Sequence, residues 1–233
     1  KPDIVVMNNN NTDGNTLVFF QNASASGKIK LSAVAMSDST AATPACYNFP
    51  LIPGDDLIRV DDVDGDAVPD IVALNTGGFI SVYHNAHKPV KNIMDAHVTI
   101  PLKFHPVSVE VKDIDGNGRP DMILANRDSA SLTVLLARSA NEMLSPSSFT
   151  EVIVPLDFYP TTATISDLDK DGRNDVLVCG EDNVSGVLHN TSIAGNFSTI
   201  LVKLPGIPVS GNYNNELVLA DITGNRSEEH TSE

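Results

Sequence analysis

Three nine-residue stretches concentrate the oxygen donors of this chain: Asp62–Asp70 (DVDGDAVPD), Asp113–Asp121 (DIDGNGRPD) and Asp167–Asp175 (DLDKDGRND). In each, acid or amide side chains stand at the first, third, fifth and ninth places. An oxygen donor at every second residue, folded back by glycine, lets one short loop wrap a hard cation. Ca²⁺ takes six to eight oxygens at about 2.3–2.6 Å and suits such a loop. The spacing predicts three ligand sets, with the first, third and fifth side chains completed by the seventh backbone carbonyl and the ninth carboxylate. The first set is Asp62, Asp64, Asp66, the Val68 carbonyl and Asp70. The second is Asp113, Asp115, Asn117, the Arg119 carbonyl and Asp121, and the third is Asp167, Asp169, Asp171, the Arg173 carbonyl and Asp175. About three structural Ca²⁺ sites are expected.

The residues around these loops say what must position them. An aliphatic run follows each ninth Asp at once (IVAL, MILA, VLV), which is strand chemistry. An EF-hand instead closes on a Glu at the twelfth place and leads into a helix. Asp62, Asp113 and Asp167 are 51 and then 54 residues apart. One such acidic run could be a chance turn, but recurrence at a near-fixed period signals one supersecondary unit per repeat. Each unit reads as four short strands: Leu57–Val60, Ile71–Leu74, Phe79–His84 and His97–Ile100 in one, Val107–Val111, Met122–Ala125, Leu132–Ala137 and Phe149–Val154 in the next, then Thr162–Ile165, Val176–Val178, Gly186–His189 and Thr199–Leu204. That is the layout of propeller blades.

Lys1-Pro2-Asp3 before IVVMN matches Arg119-Pro120-Asp121 before MILAN, so the chain opens on the last three positions of a further loop. Strands are expected at Ile4–Met7 and Leu17–Gln21, an apolar segment near Ile29–Met36, and an insertion loop over Ser37–Pro53. Glu216–Ala220 and Asp221–Asn225 begin a fourth unit that breaks off. The final RSEEHTSE reads as translated sequencing-library adapter, so residues 226–233 are taken as a non-native tail. Residues 1–225 then divide into units at 1–53, 54–103, 104–157, 158–210 and 211–225, an incomplete all-β propeller fragment of about four blades.

Of the 233 residues 41% are hydrophobic, enough for a core, and no run approaches the ~20 apolar residues of a membrane span. No membrane insertion is expected of this fragment. The formal charge is −15, and eleven carboxylates of the three loops supply much of it. Such a surface repels phosphate backbones, so nucleic acid is not an expected partner. Cys46 and Cys179 have no CxxC partner, which leaves zinc-ribbon and thioredoxin-like chemistry without support, and Cys179, at the end of an apolar strand, reads as a small buried hydrophobe. His84, His87, His97, His105 and His189 are the obvious acid/base candidates. None has an acidic partner at recognisable spacing, and they read as surface or edge histidines. No GxSxG, HExxH, phosphate-binding glycine loop or Cys-His signature occurs. Asn-x-Ser/Thr sequons at Asn10, Asn22, Asn183, Asn190 and Asn196 are expected by chance in so Asn/Ser/Thr-rich a chain.

The acidic loop joined to an aliphatic strand resembles the FG-GAP/VCBS repeat of integrin α-subunit propellers and of many secreted bacterial proteins. The resemblance covers residues 1–225, although the namesake Phe-Gly and Gly-Ala-Pro segments are missing. Ala67 stands where Gly118 and Gly172 stand, and Lys170 where Gly65 and Gly116 stand, so the first and third loops are expected to be more strained. The resemblance implies an integrin-α-like propeller of four-stranded blades whose metals brace the loop between the first two strands, opposite the usual ligand-binding face. It implies a calcium-stabilised, non-catalytic binding or adhesion module, secreted or on the cell surface, with a protein or carbohydrate ligand. The alternatives are an accessory or scaffold propeller of a secreted polysaccharide-active enzyme or phospholipase, and structural spacer repeats.

Overall fold

The computed structural model describes residues 3–8, 15–26, 28, 30–33, 48–85, 94–138 and 144–204. The readings placed on Lys1, Asn10, Cys46, His87, Glu216–Ala220, Asp221–Asn225 and residues 226–233 lie outside them. Sixteen strands are described, in four antiparallel sheets of four. The first sheet holds β1 (Ile4–Asn8), β2 (Thr16–Asn22), β3 (Leu31–Ala33) and β4 (Asn48–Pro50); the second holds β5 (Asp55–Asp61), β6 (Asp70–Asn75), β7 (Phe79–Asn85) and β8 (Met94–Pro101). The third runs through β9 (Ser108–Lys112), β10 (Asp121–Asn126), β11 (Ser131–Ala137) and β12 (Phe149–Pro155). The fourth comprises β13 (Pro160–Ser166), β14 (Asp175–Gly180), β15 (Ser185–Asn190) and β16 (Thr199–Lys203).

Sheets two to four are simple meanders in chain order. Successive first strands touch, β5 against β9 and β9 against β13, so the sheets are blades set side by side with their first strands innermost. This is part of a β-propeller. The burial of β6, β10 and β11 explains why their sequences do not alternate: every residue of each strand is buried, because both sheet faces meet a neighbouring blade. Val72 and Leu74 face the third sheet with Val109, Met122 and Leu124, while Ile71 and Ala73 face Leu17 and Phe19 of the first. Ile123, Leu132 and Val134 in turn meet Val176, Val178 and Leu188 of the fourth sheet.

The first sheet differs from the sequence reading. β1 follows an acidic loop end and so corresponds to β6, and β2 corresponds to β7. The next strand is divided: Leu31–Ala33 pairs with Asn22–Phe20 and Asn48–Pro50 pairs with Val18–Thr16 of the same strand β2. Asn48–Pro50, expected inside an insertion loop, therefore resumes the strand that Leu31–Ala33 begins. A short β-segment carries no period of its own, so only pairing with β2 reveals it. Among the described residues no helix is long and apolar enough to cross a membrane.

Candidate metal centre

Each acidic loop joins the first and second strands of its blade: β5 to β6, β9 to β10, β13 to β14. A tight return between two adjacent antiparallel strands needs left-handed backbone, and the loops supply it at Gly65, Gly116, Gly118 and Gly172. Ala67 (φ 68°) and Lys170 (φ 63°) adopt the same conformation without glycine, so the first and third loops each carry one strained residue, as the substitution pattern led us to expect.

The carboxylates organise the loop backbone. In the first loop Asp62 accepts hydrogen bonds from the N–H groups of Gly65 (2.8 Å), Asp66 (3.0 Å) and Ala67 (2.9 Å). In the middle loop Asp113 accepts from Gly116, Asn117 and Gly118, and in the third Asp167 accepts from Gly172. The fifth side chains, Asp66, Asn117 and Asp171, each accept from the seventh N–H, that of Val68, Arg119 or Arg173. The ninth Asp is a clip with two arms. Asp70 accepts from Val63 N–H (3.0 Å) and Asn85 N–H (2.8 Å), Asp121 from Ile114 (2.9 Å) and Ala137 (2.8 Å), and Asp175 from Leu168 (3.1 Å) and Asn190 (2.8 Å). One arm holds the loop and the other holds the end of the third strand.

These arrangements converge carboxylates. Oxygens of Asp62, Asp64 and Asp70 lie within 4.8 Å of one another, as do those of Asp113, Asp115 and Asp121, and those of Asp167, Asp169 and Asp171. Asp64, Asp70, Asp115, Asp121 and Asp175 are buried. Burial pushes the carboxyls of Asp64 and Asp70 above their ordinary range, and Asp66, Asp62 and Asp64 add like-charge repulsion. Asp121 is pushed up to about 6, chiefly by burial, against the hydrogen bonds from Ile114 and Ala137. Buried acids held together at a cost are what a cation would relieve. Two of their oxygens, Asp64 Oδ2 and Asp167 Oδ1, are buried without a hydrogen-bond partner, so the residues present fit a divalent ion.

The third loop is the most open of the three, with Asp169 and Asp171 exposed. Its Asp171 is also engaged by the Arg173 guanidinium, so one expected ligand already has a cationic neighbour. In the middle loop the Arg138 guanidinium reaches Asp115 Oδ2 at 3.1 Å. Sequence spacing missed two neighbours of the loops. His84 Nδ1, at the end of β7, lies 3.0 Å from Asp64 Oδ2 and 3.4 Å from Asp70 Oδ1. His189 Nδ1, at the end of β15, lies 3.3 Å from Asp175 Oδ1 and 3.5 Å from Asp169 Oδ2. The available signal was the dipeptide His-Asn, which recurs as His84-Asn85 and His189-Asn190, each fourteen residues after a ninth Asp. The other described histidines are exposed: His97 lies beside Tyr83 (ring centroids 5.6 Å apart) and the His105 ring lies over Gly78. Cys179 is a half-buried free thiol, raised by burial above its ordinary range.

The family model described as FG-GAP-like repeat matches residues 62–124 and again 113–178, together half of the chain. The chain belongs to the FG-GAP repeat family. Each match begins at the first Asp of a loop and runs into the β10 or β14 strand of the following blade, so the family's repeat and the acidic loop are in register here. Among solved structures, the chain is similar to BBS1N in two crystal structures of its complex with ARL6DN. The one soaked with mercury is 14% identical with a TM-score of 0.46, covering 88% of this chain and 54% of that one. The one soaked with lead is 15% identical with a TM-score of 0.44, covering 86% and 56%. The chain thus spans about half the length of those chains. No characterised protein in the curated comparison matches it.

Proposed function

We propose that this FG-GAP repeat chain is the calcium-braced part of a non-catalytic binding or adhesion module, secreted or on the cell surface, that takes a protein or carbohydrate ligand. One observation carries the metal reading: the same corner of three successive blades gathers carboxylates, largely buried in the first two and more open in the third, with Asp64 Oδ2 and Asp167 Oδ1 lacking any hydrogen-bond partner. Calcium would be held by Asp62, Asp64, Asp66, the Val68 carbonyl and Asp70, by Asp113, Asp115, Asn117, the Arg119 carbonyl and Asp121, and by Asp167, Asp169, Asp171, the Arg173 carbonyl and Asp175. Its contribution there is charge: it lets acids stay ionised where burial and mutual repulsion oppose it.

The ligand then belongs on the opposite rim, away from the metal loops. That rim carries the β6–β7, β10–β11 and β14–β15 turns, where Arg127 of one blade pairs with Glu181 of the next. The extracellular part of this reading expects weak calcium binding, since modules working in millimolar calcium have dissociation constants of about 10⁻⁴–10⁻³ M.

The test is a pair of thermal melts, in excess calcium and in EGTA. A site at hundredfold ligand excess stabilises by about 2.7 kcal/mol, and a domain of this size shifts by about 2–4 °C per kcal/mol. Three occupied sites are expected to raise the melting temperature by roughly ten degrees or more. Superimposable melts would remove the calcium reading. A sub-micromolar calcium affinity would remove the extracellular one.

A further inference from the structure

His84 is held where a calcium loop needs no nitrogen. Its Nδ1 lies 3.0 Å from Asp64 Oδ2 and 3.4 Å from Asp70 Oδ1, and both carboxylate side chains are completely buried. The close pair makes no hydrogen bond: Asp64 Oδ2 and His84 Nδ1 are both buried and both without a hydrogen-bond partner. An imidazole nitrogen and a carboxylate oxygen, 3.0 Å apart and neither in a hydrogen bond, are thus turned into one small buried space. Asp66 brings a third donor, within 4.8 Å of the other two. Donor spacing alone suits either a hard or a borderline ion, and the imidazole nitrogen decides between them. Calcium takes oxygen, while imidazole mixed with carboxylate selects zinc-class divalent metals.

We propose that His84, Asp64, Asp66 and Asp70 form a mixed nitrogen–oxygen site for a divalent transition-metal ion of the zinc class, built into the first acidic loop. The proposal rests on that loop being a cation site, as argued above, and gives this one loop a zinc-class ion in place of the calcium assigned to it there, with His84 as the added donor. The third loop carries a more open version, His189 with Asp169 and Asp175, whose Nδ1 already has a carboxylate partner in Asp175. The middle loop carries none. Asn85, Ala137 and Asn190 donate equivalent hydrogen bonds to the ninth Asp, so the residue before each occupies the same place. That residue is His84, Leu136 and His189 in turn, and in the middle loop Arg138 brings a fixed positive charge to Asp115 instead.

The experiment is a zinc titration of the full chain, stripped of metal and held in millimolar calcium, for wild type, His84→Ala, His84→Gln and His189→Ala. X-ray absorption on the zinc-loaded wild type reads the donor type. We expect one tight zinc per chain, imidazole scattering in its spectrum, an affinity at least tenfold weaker in both His84 variants, and a smaller change in His189→Ala. Zinc binding indifferent to His84, or a spectrum without imidazole, overturns the mixed site. If wild type meanwhile melts higher in calcium, the calcium loop stands and only the mixed site falls. If neither ion alters the wild-type melt and zinc does not bind, both readings fall together.

Discussion

Ala67 and Lys170 hold left-handed backbone (φ 68° and 63°) where the sister loops use glycine. Such a conformation costs a residue with a Cβ roughly 1–2 kcal/mol, partly offset because glycine loses more freedom on folding. Ala67→Gly is therefore expected to stabilise the chain by about 0.5–1 kcal/mol, read as a higher urea midpoint at unchanged m-value. A lower midpoint would show that the loop is not strained there. This feature was legible in the sequence, since it needs only alignment of one loop on another. The positions of His84 and His189 beside the loops were not, because they depend on where the third strand ends relative to a loop about twenty residues earlier.

The carboxyls of Asp61, Asp64, Asp70 and Asp121 all shift in one direction, upward, with burial as the first cause. For Asp121 the window runs from the ordinary value of 3.8 to about 6. Within it the folded metal-free chain binds more protons than the unfolded one, so stability is greatest below the window and falls as pH rises through it. The Asp121 contribution amounts to about 3 kcal/mol at most. Urea unfolding of the chain in metal-free buffer should give a lower stability at pH 7 than at pH 4.5, and calcium should restore it at pH 7. A metal-free chain more stable at pH 7 would contradict this account of the loops.

At the scale of the element, β6, β10 and β14 were readable because each follows an acidic loop and is an aliphatic run. The divided strand β3/β4 was not, since neither three-residue piece has a pattern until β2 pairs with both. A second hidden feature lies at the start of β5. Asp55 is fully buried and accepts hydrogen bonds from Asn75 (2.7 Å), Ser81 (2.9 Å) and the Tyr83 hydroxyl (2.6 Å). Tyr83 in turn accepts one from the Ile52 N–H at 2.7 Å, linking the second blade to the segment leading into it. Burial, with Asp55 beside it, drives the Tyr83 phenol well above its ordinary range. Removing the acid strands three donors, so Asp55→Ala is expected to cost about 3 kcal/mol and Tyr83→Phe about 1–2 kcal/mol in urea unfolding. Near-equal stabilities for Asp55→Ala and wild type would show that the network is dispensable. An Asp55-Asp56 pair at the head of an ordinary strand gives no hint of this in the sequence.

On the scale of the molecule, repetition was the readable property and contact between repeats was not. The loops, their spacing and the blade layout follow from residue types at fixed intervals. Which blade supports which loop does not. Asn174 donates to the Asp113 carbonyl (2.9 Å), Asn190 to that of Ile114 (2.7 Å), the Gly195 N–H to that of Asp115 (3.0 Å), and Arg138 of the middle blade reaches across to the Gly195 carbonyl (2.9 Å). Among the described residues the first loop has no such attendants in the next blade: Pro120 and Ala137 stand where Asn174 and Asn190 stand, and neither side chain can donate. The three cups are thus unequal tenants of one building. The middle one is clasped from outside and shares its order with its neighbour, so an ion bound by either would lower the entropy still to be lost by the other. The first, among the described residues, takes its shape from its own backbone hydrogen bonds to Asp62 and Asp70.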